Sequence, residues 1–176
     1  MEDNGGESDL IPSIVHFIFG LQDDYGGKPF SFVHFLSVYT AFKVHRPEQI
    51  HFHCEYEPKG HWWEKAKRYV TLNKIRAPTE IFGNPIERLE NKADVIRLEV
   101  LKRFGGIYLD IDVISINSMS PLLIHDAVLG IQHGRGLCNA VVLSKKDGEF
   151  VSIWYDQYRS LIEISMTIMR LCYHCA

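Results

Sequence analysis

From about Arg88 to Phe104, apolar side chains recur at Ala93, Ile96, Val100, Leu101 and Phe104, the spacing of one helical face. Gly105-Gly106 ends that pattern as a helix stop, and Ile107 to Ile114 follows as the strongest β-type run in the chain. A helix that turns at two glycines straight into a buried strand is one unit of an α/β layer architecture.

The rest of the chain repeats the alternation. Ile14 to Gly20 and Ile50 to Cys54 read as buried strands, and Phe32, Phe35, Leu36, Tyr39 and Phe42 mark a helix over 31–45, ended by Arg46-Pro47. His61 to Val70 reads as a helix led by Trp62-Trp63, whose rings are expected in core and lid packing. Asn73 to Pro85 is expected to be extended. Ala127 to Gln132 and Asn139 to Leu143 read as strands, and Phe150 to about Ile164 as a last helix. The expected fold is α/β, a single domain with a mostly parallel central sheet flanked by helices. At 176 residues one such domain has enough core without staples. It is expected over 11–160, between a flexible tail at 1–10 and an atypical segment at 161–176.

Charge and hydropathy narrow the function classes. Nineteen Lys and Arg against twenty-two Asp and Glu leave −3, with no basic run, so nucleic acid is not an expected partner. No apolar stretch reaches the roughly 18 residues of a spanning helix. MEDNGGESDL is too acidic and polar for a signal or transit peptide. Of four cysteines only Cys172 and Cys175, around Tyr173-His174, have ligand spacing, and a second pair is missing; Cys54 and Cys138 read as small core hydrophobes. His51 and His53 share one face of a short strand, where a polar strand edge is expected ahead of a metal site.

The chemistry concentrates in Asp110-Ile111-Asp112. An Asp-x-Asp arises by chance in about one chain in three of this length, so the setting matters more than the tripeptide. In a continuous strand the two carboxylates share one face, about 6.6 Å apart at the backbone. Their repulsion would be about 2.5 kcal/mol at an effective dielectric of 20. Oxygen-only ligands there suit Mg²⁺ or Mn²⁺ and a substrate diphosphate, at a strand end where open α/β sheets bind ligands. Asp94 and Arg97, three apart on the preceding helix, can pair; taken alone they read as a surface pair worth tenths of a kcal/mol.

The block Lys92-Ala93-Asp94-Val95-Ile96-Arg97-Leu98-Glu99 followed by Phe104-Gly105-Gly106-Ile107-Tyr108-Leu109-Asp110-Ile111-Asp112-Val113 resembles the DXD region of glycosyltransferase family 32. That group includes fungal mannosyltransferases and, more distantly, the clostridial glucosylating toxins. Ile11-Pro12-Ser13-Ile14-Val15-His16-Phe17-Ile18-Phe19 is similar to its opening strand. The resemblance implies a GT-A-like fold, a UDP- or GDP-sugar donor, Mn²⁺ or Mg²⁺, and retention of configuration on transfer to a hydroxyl of a glycan, lipid or protein. It implies Asp112 as metal ligand, with Asp110 on the ribose and the metal's water shell. Asp94 and Arg97 would hold sugar hydroxyls, Arg97 also lying near the phosphates. Phe19 would stack on the base, and Asn139 would lie near donor sugar and acceptor. Asp110, Asp112 and Arg97 are thus the expected catalytic set.

Two features depart from the family. LIEISMTIMRLCYHCA at 161–176 does not resemble the segment in which members continue, so a truncated chain is expected, with turnover in question. Eukaryotic members are usually Golgi-lumenal with an N-terminal anchor; none is read here, and the compartment stays open. The alternatives are a non-catalytic nucleotide-sugar-binding or interaction module and a haloacid-dehalogenase-type Mg²⁺ phosphatase. The phosphatase wants its Asp-x-Asp near the N-terminus and a later acidic pair, neither of which is present.

Overall fold

A computed structural model describes residues 10–132 and 136–160. The tail over 1–9, the segment over 161–176 and its Cys172–Cys175 pair lie outside the described residues. Six strands form one sheet in the order β3-β2-β1-β6-β8-β7. They are β1 (Ile14–Ile18), β2 (Gln49–Cys54), β3 (Thr71–Lys74), β6 (Gly106–Leu109), β7 (Ala127–Gln132) and β8 (Gly136–Ser144). The first four run parallel, β8 runs antiparallel to β6, and β7 antiparallel to β8. A small hairpin of β4 (Glu80–Ile81) and β5 (Asn84–Pro85) stands apart.

Strand alternation divides the core in two. Val15, Phe17, Ile50, Phe52, Ile107, Leu109 and Leu143 face one way. They pack against α1 (Phe32–Thr40) and α2 (His61–Ala66) through Val38, Trp63 and Ala66. Ile18, Tyr108 and Val142 face the other way, against Ile96, Leu98 and Leu101 of α3 (Leu89–Phe104) and Val151 of α4 (Glu149–Gln157). The result is a three-layer sandwich. Trp63 is core, with Phe30 and Phe52 at 5.4 and 4.7 Å. Trp62 lies outside it, against Phe32 and Phe35. Cys54 is buried as a small hydrophobe, and Cys138 is half-buried.

Three sequence expectations are corrected in detail. The extended stretch expected from Asn73 is entered earlier, at Thr71, as a third parallel strand, because Leu72 aligns with Phe52. The strand expected over 139–143 begins at Gly136 and is antiparallel, since it returns across β7. The strand expected from Ile107 to Ile114 ends at Leu109: Asp110 donates one more ladder bond, to Ala140 O, and the chain then turns, with Val113 N bonding back to Asp110 O. The Asp-x-Asp therefore occupies a turn. One strand face is not what sets the spacing of its carboxylates.

The two glycines at the junction of α3 and β6, Gly105 between them and Gly106 opening β6, are sterically required. Both take positive φ, +66° at Gly105 and +109° at Gly106. A Cβ on Gly106 would collide with the backbone oxygen of Ile14 and come within 3.1 Å of His16 Nε2. Neither neighbour is free to move, because Ile14 is in the central strand and His16 is fully buried. Gly106→Ala should lower unfolding stability by roughly 2 kcal/mol or more, the scale of backbone strain, measured by urea denaturation.

Candidate functional site

In sheet order, β1 leads outward to β2 and β3, and the chain then returns to place β6 on the other side of β1. That reversal opens a crevice outside the carboxyl ends of β1 and β6, where open α/β sheets bind ligands. Phe19 follows β1 directly, and Asp110 follows β6.

One wall is a charge network rooted in α3. Arg97 is 4% exposed. Its Nη1 donates to Asp94 Oδ1 at 2.7 Å, and its Nη2 to Asp110 Oδ1 at 3.0 Å and to the Tyr108 hydroxyl at 3.2 Å. The Tyr108 hydroxyl donates to Asp110 Oδ1 at 2.7 Å, and its ring lies 4.3 Å beneath the guanidinium carbon. Asn139 Nδ2, reaching over from β8, donates to Asp94 Oδ1 at 3.0 Å. Asp94, Arg97, Asp110 and Asn139 are thus brought together. The surface pair expected for Asp94 and Arg97 is corrected: α3 packs this face onto β6, so that Arg97 is buried and Asp94 half-buried beside it.

Electrostatics follow from burial. Burial works against the Arg97 charge, but the Tyr108 oxygen and the Asp94 and Asp110 carboxylates outweigh it, so its pKa rises and the cation is permanent. Burial raises the Asp94 carboxyl, opposed by Arg97. Burial likewise pushes the Tyr108 phenol well up, so it stays a neutral donor. Arg97 Nε is left buried without a partner.

The opposite side is aromatic. Phe19 packs on Tyr25 at 5.8 Å, Phe30 at 5.6 Å and His34 at 5.0 Å. His34 Nδ1 accepts the Ser31 N–H at 3.1 Å, so the proton of the neutral ring sits on Nε2. Burial lowers its pKa, while Asp112 opposes the shift and Lys28 reinforces it. Asp112 is exposed at the turn and makes no hydrogen bond or ion pair among the described residues. His34 therefore links Phe19 and Asp112, packing on the first and feeling the charge of the second.

The segment after Asp112 is tied to α1. Ser37 Oγ donates to Val113 O at 2.6 Å, and Ser115 N donates to Thr40 Oγ1 at 3.2 Å. Met119 N donates to His45 Nδ1 at 3.3 Å, so His45 Nε2–H donates to Ser115 Oγ at 2.8 Å. Tyr108, His34 and this Ser37–His45 anchor were not singled out from the sequence. Tyr108 was signalled by its place two residues before Asp110. The anchor had no local signal, since its partners lie about seventy residues apart.

The fold and this crevice define a class. Solved structures of the same architecture are the PaToxG glycosyltransferase, with TM-score 0.57 and 19% identity over 92% of this chain and 65% of that one. Another is the galactosyltransferase LgtC in complex with donor and acceptor sugar analogues, with TM-score 0.51 and 16% identity over 84% of this chain and 65% of that one. The sheet is thus that of the GT-A glycosyltransferases. Residues 36–129 match the model of the glycosyltransferase sugar-binding region containing the DXD motif, and the chain belongs to that family. That span contains Asp94, Arg97, Asp110 and Asp112; Phe19 and Asn139 fall outside it. Glucan organizing enzyme 1 of Cryptococcus neoformans var. grubii is 32% identical over 164 residues, covering 86% of this chain. The chain spans 45% of that relative's length.

Two measurements probe the geometry. Arg97→Met should destabilise the fold by about 3 kcal/mol, because it strands carboxylates built around a buried cation, whereas exposed Asp112→Ala should change stability by less than about 0.5 kcal/mol. Both are read by chemical denaturation. His45, lowered by burial from its ordinary value of about 6.5, binds a proton more readily unfolded than folded. Its stabilisation is complete above that value and is lost as pH falls below it. Protection factors at Ser115 and Met119, which divide out the intrinsic slowing of amide exchange with falling pH, should therefore drop between pH 7 and 5, and His45→Gln should remove that drop.

Proposed function

We propose that this chain carries the donor site of a retaining, metal-dependent hexosyltransferase acting on a UDP- or GDP-sugar, with a hydroxyl of a glycan, lipid or protein as acceptor. The observation that carries the reading is the Arg97 network set beside an outward-facing Asp112 at the crevice between β1 and β6. The fungal relative's name concerns glucan, which supports a glycan among the three acceptor classes.

The donor set fits a hard divalent cation. Asp110 commits Oδ1 to Arg97 and Tyr108 and keeps Oδ2 outside those bonds, and Asp112 commits neither oxygen. Carboxylate oxygens with room for water and phosphate suit Mn²⁺ or Mg²⁺. Bound by Asp112 and Asp110, such an ion would neutralise charge developing on the departing nucleotide diphosphate.

The protein's own groups do the rest. Arg97 is a fixed cation at the crevice floor, supplying positive potential toward the phosphates without reorganising. Asp94, held by Arg97 and Asn139, keeps an acceptor oxygen for a sugar hydroxyl, and Asn139 keeps that oxygen aimed. Asp110 is oriented by two donors and so presents its remaining oxygen in one direction. Phe19, backed by Tyr25 and His34, offers a ring to the base. Attack by the acceptor hydroxyl on the donor's own face requires no protein nucleophile, and positioning then supplies much of the rate.

Calorimetric titration with UDP- and GDP-sugars, with and without Mn²⁺, tests this. One nucleotide class should bind only with Mn²⁺, and Asp112→Ala should weaken it about 100-fold, or 2.7 kcal/mol. Arg97→Lys keeps the charge but loses the fork; it should weaken the sugar nucleotide about tenfold and the bare nucleoside diphosphate less. Donor binding without transfer to any hydroxyl acceptor would select the non-catalytic module instead. No binding by the folded chain would overturn the reading.

A further inference from the structure

Three histidines meet on the α3 side of the sheet, away from the Asp-x-Asp turn. His16 of β1 and His51 of β2 are register partners, and His53 lies two residues further along β2. The polar strand edge expected for His51 and His53 is corrected here. Pairing β2 between β1 and β3 and covering it with Phe104 leaves His16, His51 and His53 only 0, 9 and 2% exposed. One nitrogen of each lies within 4.8 Å of the other two.

The hydrogen bonds decide where the lone pairs point. His16 Nε2 donates to the Gly105 carbonyl at 2.9 Å, which leaves Nδ1 as its acceptor atom. His51 Nε2 donates to Gln49 Oε1 at 2.7 Å, which leaves His51 Nδ1 as its acceptor atom too. His53 Nε2 lies 3.1 Å from His16 Nδ1 and carries the proton between them. A hydrogen-bonded core ladder accounts for His16 and His53. It does not account for His51, whose Nδ1 is buried with a lone pair and no partner. An unpartnered buried acceptor of this kind is costly, and here it adjoins two further imidazoles.

We propose that His16, His51 and His53 form a second cation site, for a borderline divalent ion of the Zn²⁺ class, separate from the carboxylate site of the donor crevice. Three imidazole nitrogens suit Zn²⁺, Cu²⁺ or Ni²⁺, whereas the Asp110–Asp112 oxygens suit Mg²⁺ or Mn²⁺. A tetrahedral ion with nitrogen at 2.0–2.1 Å sets its ligand atoms about 3.3 Å apart, close to the 3.1 Å already between His16 and His53. Metal-bound histidines characteristically donate their other N–H to a carbonyl, which His16 does to Gly105 and His51 to the Gln49 amide. Binding asks His53 to move its proton from Nε2 to Nδ1, a change of tautomer with no net proton gained or lost. Burial first, then the neighbouring imidazoles, hold His16 down to about 3 and His53 to about 4, so both remain neutral ligands at neutral pH. Exposed Gln49 beside His51 marks the entry side, and a water would complete the shell. The site ties β1 and β2 to the Gly105 turn that launches β6, and it does not depend on the donor reading.

Co²⁺ titration of the purified chain, followed by visible absorption, provides the test. One equivalent should give the intense bands of a tetrahedral nitrogen-ligated ion, which Zn²⁺ abolishes. Those bands should persist in Asp112→Ala and fall by at least tenfold in His51→Leu and His53→Gln. X-ray absorption of the Zn²⁺-loaded wild-type chain needs no variant and should count three imidazoles. Only the faint spectrum of six-coordinate Co²⁺, bands lost in Asp112→Ala or kept in both histidine variants, or sulfur in the shell from Cys172 and Cys175, would each overturn the proposal.

Discussion

A guanidinium with 4% exposure stays charged only if its surroundings supply the charge that water would have supplied. Arg97 obtains it from Asp94 on its own helix, Asp110 beyond β6, and the Tyr108 hydroxyl between them. Asp94 shares the helix of Arg97, whereas Tyr108 and Asp110 belong to β6 and the residue that follows it. The pairing therefore fixes how α3 lies across the sheet, and Asn139 extends the same constraint to β8. The crevice floor is a consequence of neutralising one buried cation.

That constraint has a steric precondition. α3 hands over to β6 through the single residue Gly105, and both Gly105 and Gly106, the first residue of β6, adopt positive φ to do it. The Gly105 carbonyl also receives His16 Nε2, so the helix end, the central strand and the start of β6 are joined at one point. The sheet then runs only to Leu109, and the chain breaks away at Asp110. A strand continuing through Asp112 would have pointed both carboxylates toward α3. Turning there splits them: Asp110 bonds to Arg97, and Asp112 is exposed at the turn.

Much of this was legible in the residues, for definable reasons. The period-3.6 pattern placed α3, and short apolar runs rich in β-formers placed β1, β2 and β6, because their burial is one-sided or complete and dominates local preference. Asp94, Arg97 and Asp110 were readable as a group because a helix, a two-glycine turn and a strand bring them together within seventeen residues of chain. The end of β6 was not legible: Ile111 and Val113 keep an apolar alternation and still pack against the α1 side, so the pattern continues after the ladder has stopped. The burial of Arg97 beside a half-buried Asp94 was also hidden, since spacing along a helix says which face two residues share and not what covers it. His51 and His53 were misjudged for the same reason, because their third member, His16, stands thirty-five residues away on a neighbouring strand.

The division of labour among polar groups follows from depth. Groups that stay neutral or permanently charged lie deepest: His16, Tyr108 and Arg97 do not change state across physiological pH, so they can hold geometry without responding to it. Asp112, the ligand of the proposed metal site, is left at the surface with its oxygens uncommitted among the described residues. A carboxylate buried as Arg97 is, but without an equivalent partner, would be protonated or would distort its surroundings, and in either case would lose its capacity to hold a divalent ion. Rigid charge below and an open carboxylate above is the arrangement that lets an electrostatic site be organised before its ligand arrives.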